Sequence, residues 1–260
     1  MSIVKVNDIE MYYEIHGQGG PLVMLHGITE SSRTWNQFIP DFQDHFQLII
    51  PDLRGHGRST NPSQTFTHRQ AALDVFALLD HLGVNQFKAI GYSTGGMTII
   101  HMATQQPTRV KAMIIISVGS FFPTQLREAV SGFTVENVMS DKVWMDYYRK
   151  IHPRGDDQIR SLIEQFRNFK DSYDDMNFTS PYLSTITAKT LIINGDRDAL
   201  FPVSIPCGIY DSIPNAYLWI IPNGNHSLFI FPELGGSAPG GEAFAKIALE
   251  FLRGDWDKKK

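Results

Sequence analysis

Short, unbroken apolar runs alternate along this chain with segments of helical spacing. The runs are Pro21 to Leu25, Phe46 to Ile50, Phe87 to Ile90, Ala112 to Ser117, Thr190 to Ile193 and Tyr217 to Ile221. Runs of this length that lack polar alternation predict strands buried on both faces, which is the mark of a mostly parallel sheet. Two further strand-like segments, Ile3 to Val6 and Ile9 to Ile15, meet at Asn7-Asp8, a hairpin signal. Between the runs, Thr67 to Leu82 carries Ala71, Val75, Leu78, Leu79 and Leu82 on one helical face. Gly83 follows as a helix stop. Met97 to Ala103 and Ala243 to Leu252 also read as helices.

The alternation stops between Phe121 and about Thr187. This stretch offers no convincing strand. It holds helical segments near Thr134 to Ile151 and Asp156 to Asp171, joined by His152-Pro153-Arg154-Gly155. The expected organisation is a sheet domain built from residues 1–120 and 188–260, with residues 121–187 inserted as a helical cap. Gly235 to Gly241 reads as a loop, without the Lys-Ser/Thr that would make it a phosphate cradle.

Charge and cysteine content narrow the classes. A formal charge of −4 over 260 residues argues against a nucleic-acid partner, which would want a basic face. Cys207 is the only cysteine, so no internal disulfide forms, in keeping with a cytoplasmic setting. No signal peptide or membrane span is evident, and a homodimer is left open.

The candidate chemistry centres on Gly91-Tyr92-Ser93-Thr94-Gly95, between a predicted strand and a predicted helix. A serine on such a turn is presented as a nucleophile, and the two glycines let strand and helix pass closely. Its hydroxyl needs a base and the base needs an orienting acid. His226 lies in a turn-rich loop after the last predicted strand. The loop after Leu191 to Asn194 offers two acids, Asp196 and Asp198. Asp198 is preferred, leaving Asp196 to turn formation or to Arg197. The order Ser93, Asp198, His226 is nucleophile, acid, base. The N–H groups of Thr94 and Ile28 are the candidate oxyanion donors, with His26 packed under that loop.

Leu25-His26-Gly27, Asp52-Leu53-Arg54-Gly55-His56-Gly57-Arg58-Ser59, the serine turn, Gly195-Asp196-Arg197-Asp198 and His226 together resemble the α/β-hydrolase superfamily over essentially the whole chain. The resemblance implies an α/β class fold: a mostly parallel eight-stranded sheet, helices on both faces and a small helical cap. It implies Asp198 as the triad acid and structural roles for Asp52, Arg54 and His56. It departs from the family at Asn225, where Gly usually precedes the histidine. Ser93 argues against the branches with an Asp nucleophile. Tyr92 and Ser227 depart from the ring-cleavage C–C hydrolases. The serine turn resembles that of cofactor-free haloperoxidases, and the general pattern is similar to enol-lactonases.

These features predict a serine esterase or lactonase acting on a small molecule, with no metal and no organic cofactor. Perhydrolysis, C–C hydrolysis and a slow-turnover ligand receptor are the rival readings. The aromatic-rich cap predicts an apolar substrate chamber. Trp144 and Tyr148, four residues apart on one helix face, are its first candidates. Phe201, Leu228 and Phe229, which flank the triad loops, are the others. At helical spacing each of these aromatics could equally be core, the more so for Trp144, whereas the Tyr148 hydroxyl suits a half-wet wall.

Overall fold

The computed structural model describes residues 2–228, 230 and 241–256. The apolar runs become eight strands: β1 (Ser2–Val6), β2 (Ile9–His16), β3 (Gly20–Leu25), β4 (Phe46–Pro51), β5 (Phe87–Tyr92), β6 (Val110–Ile116), β7 (Lys189–Gly195) and β8 (Ala216–Ile221). They form one sheet in the order β1-β2-β4-β3-β5-β6-β7-β8. Only β2 runs against its neighbours; β3 to β8 are parallel. Alternation along each strand fills two separate cores. Val23, Leu25, Met113 and Ile115 face one side, packed on Val75, Leu79 and Ile99. Leu22, Met24, Ile114 and Ile116 face the other, packed on Trp35, Phe38, Phe244 and Phe251. A strand buried on both faces has no polar position to alternate with, which accounts for the unbroken runs.

In chain order the helices are α1 (Ile39–Phe42), α2 (His68–His81), α3 (Thr94–Gln105), α4 (Thr124–Ser131), α5 (Val135–Ser140), α6 (Lys142–Ile151), α7 (Asp156–Arg167), α8 (Ser180–Leu183), α9 (Ser204–Ser212) and α10 (Gly241–Arg253). Thr67 caps α2 through its hydroxyl, and Gly83 adopts φ +70° beyond its end. Helices α4 to α8 lie in the insert between β6 and β7. The long helix expected over Thr134 to Ile151 is two helices. Asp141 breaks it by turning its carboxylate onto the N–H groups of Val143 and Trp144. The segment expected as one helix to Asp171 ends in a 3-10 turn after Arg167. An isolated bridge between Phe121 and Asn177 joins the two ends of the insert.

The insert has its own small apolar cluster, including Val138, Met145, Tyr148, Ile159 and Ile163. It also extends the core of the sheet domain through Phe122, Leu126, Phe169 and Leu183. Polar anchors fix it laterally. Asp175 accepts from the backbone N–H groups of His68 and Arg69 at the start of α2, and from His68 Nδ1 at 2.6 Å.

A polar knot under the sheet's C-terminal edge fixes the loops that follow β3 and β4. Asp52 accepts from the N–H groups of Ser32 and Arg58. Arg54 is 2% exposed and pairs bidentately with the buried Asp74 of α2, at 2.7 and 3.1 Å, and with Asp8 of the β1–β2 turn. Three buried imidazoles complete the knot. His26 donates to the Gly27 carbonyl and accepts the Leu53 N–H. His56 donates to the Arg54 carbonyl and accepts the Thr29 N–H. His152, at the end of α6, donates to the Thr29 carbonyl and accepts the Gly57 N–H. Thr29, at φ +60°, is therefore clamped through both of its backbone polar groups.

Burial holds all three imidazoles neutral: His26 and His152 are pushed down to about 4, and His56 well below its ordinary value. The unfolded chain would bind these protons near the ordinary 6.5, so their contribution to stability is full above that pH and is lost as pH falls through about 4. His152→Gln keeps a donor for Thr29 but has nothing to protonate. The melting temperature of this variant is expected to fall less steeply than wild type between pH 6.5 and 4, followed by circular dichroism; parallel slopes would refute the assignment. Asp74→Ala leaves the Arg54 guanidinium with the exposed Asp8 and a long contact to Asn61 Oδ1 at 3.4 Å, and is expected to cost about 3 kcal/mol in urea unfolding. A loss under about 1 kcal/mol would mean that Asp8 and water suffice.

Candidate active site

The turn from β5 into α3 carries Ser93 at φ +50°, ψ −118°, a conformation that an L-residue adopts only under constraint. The neighbouring glycines make it possible. A Cβ on Gly91 would lie 2.5 Å from the Gly96 nitrogen, and one on Gly95 would lie 2.2 Å from the Leu25 carbonyl oxygen. The Ser93 N–H is tied to the Ile116 carbonyl at 2.8 Å. The hydroxyl is thereby aimed out of the sheet, over the start of α3, where helix N–H groups lack intrahelical partners.

Three side chains from three different loops converge there. His226 Nε2 lies 3.1 Å from Ser93 Oγ, and His226 Nδ1 lies 2.9 Å from Asp198 Oδ2. The other Asp198 oxygen accepts from the N–H groups of Leu200 and Phe201, at 2.8 and 3.0 Å. This leaves Oδ2 for the imidazole and fixes the carboxylate plane. Asp196 is exposed, 3.8 Å from Arg197. The His226 carbonyl accepts from the Ser117 hydroxyl at 2.8 Å, which holds the loop to the sheet. With Asp198 as acceptor, His226 carries its proton on Nδ1 and presents a bare Nε2 to the serine.

The Ile28 and Thr94 N–H groups donate to no acceptor among the described residues. Both residues line a cavity of about 240 Å³ over Ser93. Gly27 allows the approach of this loop, since a Cβ there would meet the Tyr92 ring at 2.8 Å. The insert supplies one wall through Leu126, Phe133, Trp144, Phe166 and Phe169. The opposite side includes Met97, Leu200, Asn225 and Ser227.

The expected chamber residues divide. Trp144 lines the cavity and keeps 38% of its surface exposed. Tyr148 does not line it. It is buried in the insert core, and its hydroxyl is spent on Thr29 Oγ1 at 3.2 Å. Of the two residues expected to line the chamber, Trp144 therefore does and Tyr148 is core. Phe201 is also not a lining residue; it is fully buried, with its ring 5.7 Å from that of His226, and packs the imidazole from behind. Leu228 is likewise core, in the cluster with Phe244 and Tyr92. Phe229 lies outside the described residues.

The sequence reading missed Glu30. This residue lines the cavity, yet it is 5% exposed, and burial pushes its carboxyl up to about 8. The Tyr147 phenol donates to Glu30 Oε2 at 2.6 Å. The available signal is an acid two residues after a candidate oxyanion donor, on a loop that has to be buried. Among the described residues, no cluster of His, Cys, Asp and Glu could hold a metal ion, and no helix is long and apolar enough to cross a membrane.

Comparison with known proteins agrees with this architecture. The family model for the alpha/beta hydrolase fold matches residues 20–138. A soluble epoxide hydrolase from Corynebacterium sp. is 37% identical over 43% of this chain, a match that spans only 39% of that protein. A pimeloyl-[acyl-carrier protein] methyl ester esterase from Vibrio vulnificus is 23% identical over 85% of this chain and 92% of its own length. The crystal structure of the enol-lactonase from Burkholderia xenovorans superimposes with a TM-score of 0.75, at 20% identity, over 97% of this chain and all of that one. By its sheet order, its serine turn and these likenesses, the chain has the alpha/beta hydrolase fold, which the family model matches over residues 20–138.

Proposed function

We propose that this protein is a serine hydrolase that cleaves a small carboxylic ester or lactone through an acyl-enzyme. The observation that carries the reading is the unbroken relay from Ser93 Oγ through His226 to an Asp198 carboxylate anchored by two backbone N–H groups. His226 Nε2 removes the Ser93 proton as the oxygen attacks the substrate carbonyl. The Ile28 and Thr94 N–H groups receive the developing oxyanion. His226 then returns the proton to the leaving alcohol, or to the ring-opened hydroxyl of a lactone. Water attacks the acyl-enzyme by the same route, and the acid leaves. Asp198 stays ionised throughout and holds the imidazole tautomer. The methyl ester esterase and the enol-lactonase among the similar proteins agree with an oxygen ester as substrate.

The insert acts as a cap in this reading, and its aromatic wall receives the acyl chain. Each buried methylene contributes roughly 0.8 kcal/mol, so the size of the chamber sets a chain-length optimum.

A screen of p-nitrophenyl esters of increasing chain length tests the proposal. Ser93→Ala is expected to lose at least about 10³-fold in kcat while keeping its melting temperature. Turnover near wild type in this variant would overturn the nucleophile. Asp198→Asn is expected to lower kcat strongly, and the exposed Asp196→Asn to change it little; the reverse order would exchange their roles. Trp144→Ala is expected to shift the preferred chain length. Tyr148→Ala is expected instead to destabilise the insert by about 3 kcal/mol, read from thermal unfolding. An unchanged chain-length profile for Trp144→Ala would remove that residue from the acyl wall.

A further inference from the structure

Among the described residues Glu30 is the one carboxyl in the chamber wall, and the relay does not use it. It follows Thr29, the residue clamped by His56 and His152, so its backbone position is fixed by the knot beneath it. Tyr147 of α6 occupies one carboxyl oxygen, Oε2. Oε1 has no hydrogen-bond partner among the described residues, while the residue itself borders the cavity together with Ser93. A structural carboxyl this deeply buried normally meets a cation or several N–H groups. Among the described residues Glu30 meets neither, and no Lys or Arg lines the chamber.

We propose that Glu30 determines substrate specificity: as a protonated carboxyl it donates a hydrogen bond from Oε1 to a neutral oxygen acceptor of the substrate, such as an oxo or ether oxygen or a second ester carbonyl, set apart from the scissile bond. The inference rests on the serine-hydrolase reading of the same chamber. Because Tyr147 donates to Oε2, the carboxyl proton falls to Oε1. Burial pushes the group up to about 8, so it is a donor at neutral pH. An anionic substrate group would find no cation beside it. The titratable groups around it are the Tyr147 and Tyr148 phenols of α6, the Tyr92 phenol of β5 and, across the chamber, His226. Burial pushes the Tyr92 and Tyr148 phenols further up, so they stay neutral where Glu30 titrates.

The experiment compares p-nitrophenyl hexanoate with its 4-oxo and 5-oxo analogues. Wild type is expected to favour one oxo ester by about fivefold or more, mainly through KM, as one neutral hydrogen bond permits. Glu30→Leu is expected to bring the ratio to about one, while Glu30→Gln, which keeps a neutral donor, retains it. The wild-type preference is expected to decline as pH rises through about 8, and that of Glu30→Gln to stay level. If Glu30→Leu does not fold, the pH comparison with Glu30→Gln decides. A ratio near one in wild type, or the same ratio in Glu30→Leu, overturns the inference. So does a preference for the 4-(trimethylammonio)butanoate ester that Glu30→Gln abolishes, since that would make Glu30 a charge partner.

Binding of methyl hexanoate and its oxo analogues to Ser93→Ala, followed by calorimetry, separates this inference from the reading it rests on. A retained affinity ratio without wild-type turnover would refute the hydrolase reading alone. Turnover with no affinity ratio would refute the role of Glu30 alone.

Discussion

The contact between Gly95 and the Leu25 carbonyl governs the rest of the site. It presses the first turn of α3 against the end of β3, closer than any side chain would allow. Two consequences follow. The serine turn must take the strained backbone at Ser93, because strand and helix have no room for a wider one. The loop after β3 is also brought beside that turn, so Ile28 lines the same cavity as Thr94. Ser93 and the backbones of Ile28 and Thr94 are thus set by one backbone approach, before any side chain is chosen. The cost of the strain is spread over the sheet, which grips Ser93 through the Ile116 carbonyl.

The loop after β3 has a second support, from the opposite direction. Thr29 also lies at positive φ and is held through His56 and His152. His152 belongs to the insert, so the insert both lines the cavity over Ser93 and helps to hold the loop after β3. Imidazole suits this task because a neutral ring offers one donor and one acceptor across about 2 Å of rigid frame. Lys or Arg could not accept, and a carboxylate could not donate. The same chemistry makes the clamp conditional, since a second proton on any of these rings turns an acceptor toward a backbone N–H.

Much of this was legible in the sequence. The strands that pack two cores announce themselves as unbroken apolar runs. The candidate serine, acid and histidine stand out in the sequence because each occupies a loop directly after a strand, where a parallel sheet gathers loops at one edge. The preference for Asp198 over Asp196 rests on loop position; in the structure Asp198 lies 2.9 Å from His226 and accepts from the Leu200 and Phe201 N–H groups. The insert was harder to read. Asp141 sits inside an otherwise continuous helical pattern, and only the folded backbone shows it acting as a cap rather than as a solvated face. Trp144 and Tyr148 share a helical stripe, and spacing cannot tell which edge of the stripe meets the cavity. Helix α9 contains Pro206 and Gly208, which mask its period. Glu30 was passed over because a charged residue in a loop is usually solvated. Its burial comes from α6, more than a hundred residues away.

That distant burial gives the chamber its electrostatic character. The same loss of water that keeps His26, His56 and His152 unprotonated keeps Glu30 protonated. Near neutral pH burial thus holds His26, His56, His152 and Glu30, groups of opposite acid–base type, in their uncharged forms. A nearby carboxylate would oppose a developing oxyanion, since an unscreened like charge in a poorly solvated cavity acts over several ångströms. A neutral Glu30 removes that opposition without removing the side chain. The pH range over which this balance holds is bounded below by the imidazoles of the clamp and above by Glu30, and the one constraint behind both limits is the exclusion of water by the insert.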